Sequence, residues 1–328
     1  MRMHSVEAAA GAAVLGTIGR KRVQLALADG GGGLRPDTIR SYSAEETIGV
    51  SGALTTFQRD LSIPALPARS AIAVAGLARG DAISITRTRW FLSRSGLQAM
   101  LGEAPLILND FAAEAWAMYG ADVRPLESFA GAPVAVRQPG CYLVAGITSG
   151  LGVAVFNHSP AGQVSVMPTE AGHGGFVAGS AALAKLAADL FPGRHPVLAE
   201  DIVSAPGLQA IYELLVRQGG GMVRARTPED ITRSMTVDPM ARRACEVLAE
   251  AFWSQIGNLV VTFGAWDGVV VTGGLAGAIR PILRRPDLQA AFVGAGKYAR
   301  VLGTVPRCYG ELQHAALIGA AEALRHGA

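Results

Sequence analysis

The sequence predicts an α/β fold built from two similar lobes, and three observations carry that prediction. The chain has 328 residues, enough to bury a large core and to split into two lobes. Half of it is apolar and only 6% aromatic, with the apolar share dominated by Ala, Val and Leu and accompanied by 41 glycines. That composition suits a compact α/β enzyme and excludes disordered and coiled-coil classes. Two strand-turn-strand openings, at Gly16–Gly19 and Gly146–Gly152, each precede a run of strand-and-helix units. Glycines gather at the ends of the apolar runs, where backbone can approach a ligand.

The elements follow in order. Ala12–Ile18 is an apolar strand, and Arg22–Asp29 alternates as a second after a tight break. Gly30–Gly33 is a turn, and Arg35–Ser43 is a third strand. Leu54, Phe57 and Leu61 stand at helical spacing. Ala71–Leu77 and Ala82–Thr86 are short strands, and a helix starts near Ser93. Pro105–Leu108 is a buried strand, followed by a helix over Asp110–Tyr119. The second half repeats the opening theme with Cys141–Ile147 and Leu151–Asn157, joined by Thr148-Ser149-Gly150, then a strand at Gln163–Met167. Helices dominate afterwards. Thr227-Pro228-Glu229-Asp230 combines a cap, a proline at the first position and acidic first-turn residues. Asp238-Pro239 opens a helix whose Leu248, Phe252, Ile256, Leu259 and Phe263 share one apolar face. Gly268–Thr272 is a buried strand, and His314–Ala323 is an Ala-rich helix.

Several classes are excluded. The net charge of +3 is small for this length, and no long basic stripe is present, so nucleic acid is not expected as a partner. Cys141, Cys245 and Cys308 are widely spaced and odd in number, which argues against a disulfide scaffold and for a reducing compartment. The apolar stretch Ala8–Leu15 is read as the start of a strand and not as a signal segment, given the lone Arg2 and the nearby Glu7. Cys141–Phe156 is too short and glycine-rich to span a bilayer. The expectation is a soluble cytoplasmic protein.

Five polar side chains stand in three short motifs. Asn109 and Asp110 follow Pro105–Leu108; Glu170 and His173 lie in Thr169-Glu-Ala-Gly-His-Gly-Gly175; Glu200 precedes Ser204-Ala-Pro-Gly-Leu208. Carboxylates, an amide and an imidazole together suit a ligand made of hydroxyls. Each motif also has a plain reading. An Asp between strand and helix is a good helix cap. A histidine in a glycine-rich loop is commonly structural, and no second His or Cys at ligand spacing supports a metal. Glu200 alone is an ordinary surface residue. If functional, Asp110 faces the end of a sheet, where it can accept the proton of an attacking hydroxyl. Gly146-Ile-Thr-Ser-Gly-Leu-Gly152 lacks the P-loop ending but can present amides and a hydroxyl to phosphate. Gly273-Gly274 is either a plain loop or a place where a flat base meets backbone. Gly294–Ala299 has only a fragment of a dinucleotide fingerprint and carries no inference.

Taken together, these motifs resemble the bacterial glucokinase family of the sugar kinase/actin superfamily, from about Ala13 to Leu324. The most specific likeness lies in Leu108-Asn-Asp-Phe111, Ser149-Gly-Leu-Gly-Val153, Glu170-Ala-Gly-His-Gly174, Glu200 with Ser204–Leu208, and Val271-Thr-Gly-Gly-Leu275. The resemblance implies a two-lobed sugar kinase/actin-like (ribonuclease H-like) fold with an interlobe cleft and a five-stranded sheet in each lobe. The small lobe would comprise 12–110 plus 314–328, and the large lobe 111–313. It further implies a homodimer that transfers the γ-phosphoryl of ATP, with Mg²⁺, to the 6-hydroxyl of glucose, the opening step of glycolysis. By the same likeness Asp110 is the catalytic base, and Asn109, Asp110, Glu170, His173 and Glu200 contact the sugar. Gly16, Gly19, Ser149, Gly150 and Gly152 would line the phosphate loops, and Gly273 and Gly274 the adenosine loop.

The chain departs from the family pattern in its first phosphate loop, which there reads roughly Asp-x-Gly-Gly-Thr-Asn. Here Thr17 replaces the acidic residue, Arg20 replaces the second glycine, and Lys21-Arg22 replaces Thr-Asn. Thr148 stands where a glycine is expected in the second loop, and Arg87 where Asn is usual. Two readings follow: a glucokinase with an altered phosphate loop, or a catalytically weak relative that binds sugar or sugar phosphate as a sensor. A different sugar, such as an amino sugar, is a third.

Overall fold

The computed structural model describes residues 12–19, 22–43, 49–85, 90–120 and 126–328. The chain divides into two compact units, Met1–Val123 with Leu312–Ala328, and Arg124–Glu311. The helix Asp110–Tyr119, expected at the start of the large lobe, stands in the first unit. The reason is its seam with the C-terminal helix Ala315–Arg325: a methyl group on Gly319 would overlap the carbonyl oxygen of Ala113. Only glycine lets the two backbones come this close.

The first unit holds strands β1 (Ala13–Ile18), β2 (Arg22–Ala28), β3 (Leu34–Ser43), β4 (Ser70–Val74), β5 (Ala82–Ser84), β6 (Phe91–Ser93) and β7 (Leu106–Asn109). Five of them form a sheet in the order β3-β2-β1-β4-β7, while β5 and β6 pair separately. β1 runs antiparallel to β2 and parallel to β4, which runs parallel to β7. Period-two alternation gives the sheet two apolar faces. Val14, Ile18, Val23, Leu25, Ile72 and Val74 pack with Leu54 and Phe57 of the helix Gly49–Asp60. On the other face Ala13, Leu15, Ala26, Ala28 and Ala71 meet Leu317, Ala320 and Ala321 of the C-terminal helix. Alanine on both sides of that layer keeps helix and sheet close.

The second unit holds β8 (Glu127–Ala130), β9 (Gly140–Ile147), β10 (Leu151–His158), β11 (Val164–Thr169), β12 (Gly268–Thr272) and β13 (Arg307–Tyr309). Its sheet order is β11-β10-β9-β12-β13-β8, whose first five members repeat the order and directions of the first sheet. The duplication expected from the two openings is therefore present. The sheet has six strands, however, and not the five implied by the resemblance. β8 joins antiparallel to β13, anchored by buried Phe129 against Tyr309 and Trp253 and by Glu127 pairing with Arg280 and Arg284.

One helix, Pro239–Phe263, runs through this unit's core with Leu248, Phe252, Ile256 and Leu259 buried, as their spacing predicts, and Phe263 partly buried. Asp238 caps it, its Oδ1 accepting from the amides of Met240 at 2.8 Å and Ala241 at 3.3 Å. Gly264, at φ 69°, ends it in the left-handed conformation that favours glycine. Thr227 likewise caps the helix Pro228–Ser234. Among the described residues no helix is long and apolar enough to cross a membrane.

Candidate functional site

In the first unit, the parallel strands β1, β4 and β7 end in register, with Ile18 beside Val74 and Val74 beside Asn109. Their carboxyl ends therefore share one sheet edge, where α/β proteins place ligands. Asn109 closes β7 and is buried. Its Oδ1 accepts from the amides of Phe111 at 2.9 Å and Ala112 at 3.2 Å, and its Nδ2 donates to Gly76 O at 3.3 Å. The helix cap is thus Asn109 and not Asp110, because the extended backbone of Asn109 (φ −65°, ψ 146°) belongs to the residue outside the helix. Asp110 occupies the first helical position, half-buried, with Oδ1 accepting from the Phe111 amide at 2.9 Å. A carboxylate there is favoured by the positive end of the helix dipole.

The cap predicts its own test. Asn109→Ala leaves two amides without that acceptor and should cost about 0.5–2 kcal/mol of stability. Asn109→Asp keeps the acceptor and should retain most of it. Chemical denaturation decides: equal losses in both variants would show that the cap is not what the side chain contributes.

The first hairpin is closed by Gly19 N donating to Arg22 O at 3.0 Å. Gly16 is not in this turn. It lies buried inside β1, where a methyl group would press on Leu25 and Ile72 at 3.2–3.3 Å. Thr17 is half-buried in the same strand, and Arg22 is exposed at the start of β2. Arg20, Lys21 and Arg87 lie outside the described residues.

The second unit brings more together. The turn Thr148-Ser149-Gly150 joins β9 and β10, with Thr148 and Ser149 exposed and Gly152 paired with Gly146 below them. Thr148 O accepts from Ala205 N at 3.0 Å, tying the turn to the helix Ala205–Gln218, which Ser204 caps through Gly207 N at 3.0 Å. Beside it the chain leaves β11, where Thr169 Oγ1 donates to Val153 O at 2.7 Å, and enters a single 3₁₀ turn, Ala171–His173. Segment 174–176 then pairs with 197–199: Ala199 N donates to Gly174 O and Phe176 N to Val197 O, both at 2.8 Å.

This stitching brings Glu170, His173 and Glu200 into one cluster. Glu170 Oε2 is 3.9 Å from His173 Nε2, and Glu200 Oε1 is 3.6 Å from His173 Nδ1. These spacings are too long for direct hydrogen bonds. The side chains keep 42%, 52% and 20% exposure respectively, so a ligand can reach them. Burial pushes the Glu170 carboxyl above its ordinary 4.5, opposed by His173 and reinforced by Glu200. Glu200 rides on the one-turn helix Ala199–Ile202. Sequence reasoning passed over the residue that holds it. Asp201 accepts from Leu198 N at 2.8 Å and pairs with Arg194 at 3.0 Å. An acidic residue three positions after the residue preceding a helix was the available signal.

Gly273 and Gly274 follow β12, which lies next to β9 in the same sheet. Gly273, at φ 96°, lies where a methyl group would be 2.6 Å from Ile147 O, against the base of the β9–β10 hairpin. Gly274 opens the helix Gly274–Ala278 with nothing within 4 Å of where a side chain would begin. Hairpin, acid-imidazole cluster and glycine pair therefore gather at one end of one sheet. Among the described residues no group of three or more His, Cys, Asp or Glu is arranged to hold a metal ion.

Comparison with known proteins gives the family and the fold. The Glucokinase family model matches residues 14–327. A glucokinase of Stenotrophomonas maltophilia (strain R551-3) is 33% identical over 313 residues, covering 93% of this chain and 92% of that one. Two solved structures share the fold. The glucokinase from an Antarctic psychrotroph has a TM-score of 0.81 at 21% identity, covering 97% of this chain and 99% of that one. A ROK family glucokinase from Streptomyces griseus, in complex with glucose and AMPPNP, has a TM-score of 0.62 at 16% identity, covering 96% and 99%. With a family model spanning nearly its whole length and a relative one-third identical over the same span, this chain belongs to the glucokinase family.

Proposed function

We propose that the chain transfers the γ-phosphoryl group of ATP to the 6-hydroxyl of glucose. The observation that carries this reading is the cluster of Glu170, His173 and Glu200 beside the Thr148–Gly150 turn, in a chain of the glucokinase family. Glu170, His173, Glu200 and Asn109 take sugar hydroxyls. Several acceptors on different hydroxyls discriminate against epimers, since a mismatched sugar leaves a buried polar group unpaired. Asp110 accepts the proton of the 6-hydroxyl as the new O–P bond forms and the bond to ADP breaks. Amides of the Ser149-Gly150 turn, with Gly19 and Gly152, take phosphate oxygens. The open backbone at Gly273-Gly274 takes the adenosine.

Magnesium has no carboxylate cage among the described residues, and Thr17 offers a hydroxyl where the family has an acid. An ion carried in on the nucleotide's own phosphates, with its waters, fits such a site. The kinase reading is favoured over the sensor reading by relatives named glucokinase that match 93% of this chain. We further infer a cytoplasmic homodimer acting at the start of glycolysis. A coupled assay with ATP, Mg²⁺ and glucose tests the activity, and absence of turnover beside measurable glucose binding would overturn it.

Glu170 sets a pH dependence. Its raised pKa means that the ionised, sugar-accepting form accumulates only as pH rises from 4.5 through a higher value. Glucose KM should therefore fall as pH climbs through that window, and Glu170→Gln should flatten the response. The stability sign is opposite. A raised folded-state pKa gives a contribution present below 4.5 that is lost as pH rises through the folded value. Thermal unfolding of wild type and Glu170→Gln across the same window measures it.

A further inference from the structure

Within the second unit lies a cavity of about 470 Å³, inside the span of small-molecule sites, roughly 300–1,000 Å³. It opens among the C-terminal half of the helix Ala205–Gln218, segment 219–225, the helix Pro228–Ser234 and the start of the helix Pro239–Phe263. The Thr148–Gly150 turn is held at the other end of Ala205–Gln218, so the cavity is no part of the site described above. Its floor is built in advance. Tyr212 is buried there, its hydroxyl donating to Asp238 Oδ2 at 3.1 Å and accepting from the amides of Arg224 and Ala225, both at 3.4 Å. The rim leaves large apolar side chains in water: Met222 is 82% exposed and Val237 83%. Covering them with an apolar ligand is favourable in proportion to the area removed from water.

The charges in this lining are unevenly served. Asp238 is engaged on both oxygens, by the amides of the helix it caps and by Tyr212. Asp230 pairs with Arg233 at 3.5 Å, and the Thr227 hydroxyl holds its carboxyl below the ordinary carboxylate range. Arg224 is exposed, and its guanidinium meets no carboxylate among the described residues. The acids are thus occupied while a cation stands open. We propose that this cavity binds a small amphiphilic anion, a carbon chain or ring ending in a carboxylate or phosphate. The head pairs with Arg224, and the body lies among Val216, Met222, Val237 and Met240. Two methionines in that wall adapt to the shape of the body.

The test is calorimetric titration of the full chain with octanoate, octyl phosphate, octanol and octylamine, which share one apolar body and differ in the head. At least one of the two anions should bind with one site per chain, and about tenfold or more tighter than the alcohol or the amine, as a hydrogen bond to a charged group allows. The tighter anion identifies the head group. Arg224→Gln should bring that anion down to the affinity of octanol and leave octanol unchanged, a split that a general loss of structure does not give. Val237→Trp, at an exposed position, should close the mouth and abolish anion binding while the melting temperature stays near wild type. Binding of neither anion, equal affinity for anion and amine, or binding that survives Val237→Trp would overturn the proposal. So would a wild-type dimer that Met222→Glu separates in sedimentation, because a second copy would then cover this face. None of these outcomes bears on the kinase reading.

Discussion

Asp110→Asn should lower kcat for glucose phosphorylation by about 10²–10⁴-fold while glucose affinity changes little, the span expected for loss of a general base. Local structure makes this a clean substitution. The helix cap is supplied by Asn109, so the change removes no cap. The Asp110 contact to the Phe111 amide is made by Oδ1, an acceptor that asparagine retains. The backbone of β7 is locked by register with β4 and by Asn109 Nδ2 on Gly76 O. What disappears is the capacity to take a proton, together with a negative charge at the positive end of a helix, worth a few tenths of a kcal/mol to about 1 kcal/mol. Steady-state kinetics with separate measurement of glucose binding reads the split between kcat and affinity. Wild-type turnover in Asp110→Asn would remove Asp110 as the base. A parallel loss of glucose affinity would make it a binding residue.

Much of this architecture is legible in the sequence because local rules act on it directly. Asp238-Pro239 and Thr227-Pro228 start helices as written, and the alternation through Ala13–Ile18 and Arg22–Ala28 builds both faces of the first sheet. The repeated hairpin openings correspond to two sheets with the same strand order. Features decided by contacts far apart in sequence are not legible. β8 is a strand because β13, about 180 residues later, offers an edge and Tyr309 a ring for Phe129. Gly16 falls both in the strand Ala12–Ile18 and in the opening Gly16–Gly19, and register with Leu25 and Ile72 decides for the strand. The sequence reading places the cap at Asp110, and the backbone angles move it to Asn109. Glu170, His173 and Glu200 read from the sequence as parts of one hydroxyl-binding set. Their meeting depends on the pairing of 174–176 with 197–199, which no local pattern announces.

The same kind of distant contact gives Gly172 its importance. Gly172→Ala should raise glucose KM by about 10²-fold, the scale of loss expected when catalytic or binding groups shift by about 1 Å. Gly172 is buried in the 3₁₀ turn between Glu170 and His173, and a methyl group there would overlap the carbonyl oxygen of Leu151. That oxygen cannot swing aside as a side chain would, because it belongs to the backbone of β10, where Leu151 pairs with Ile147 at the foot of the Thr148–Gly150 turn. The 3₁₀ turn must instead lift from the hairpin, carrying Glu170 and His173 away from Glu200. Such overpacking also costs about 1–3 kcal/mol of stability. The two consequences separate. A variant at Gly162, an exposed turn glycine at φ 81° with nothing within 4 Å, strains the backbone of the neighbouring hairpin without touching the cluster. Gly162→Ala should lower stability and leave glucose KM near wild type, whereas Gly172→Ala should move both. A normal glucose KM in Gly172→Ala would mean that the sugar does not depend on the spacing of Glu170, His173 and Glu200, and the assignment of the cluster as the hexose site would fall with it.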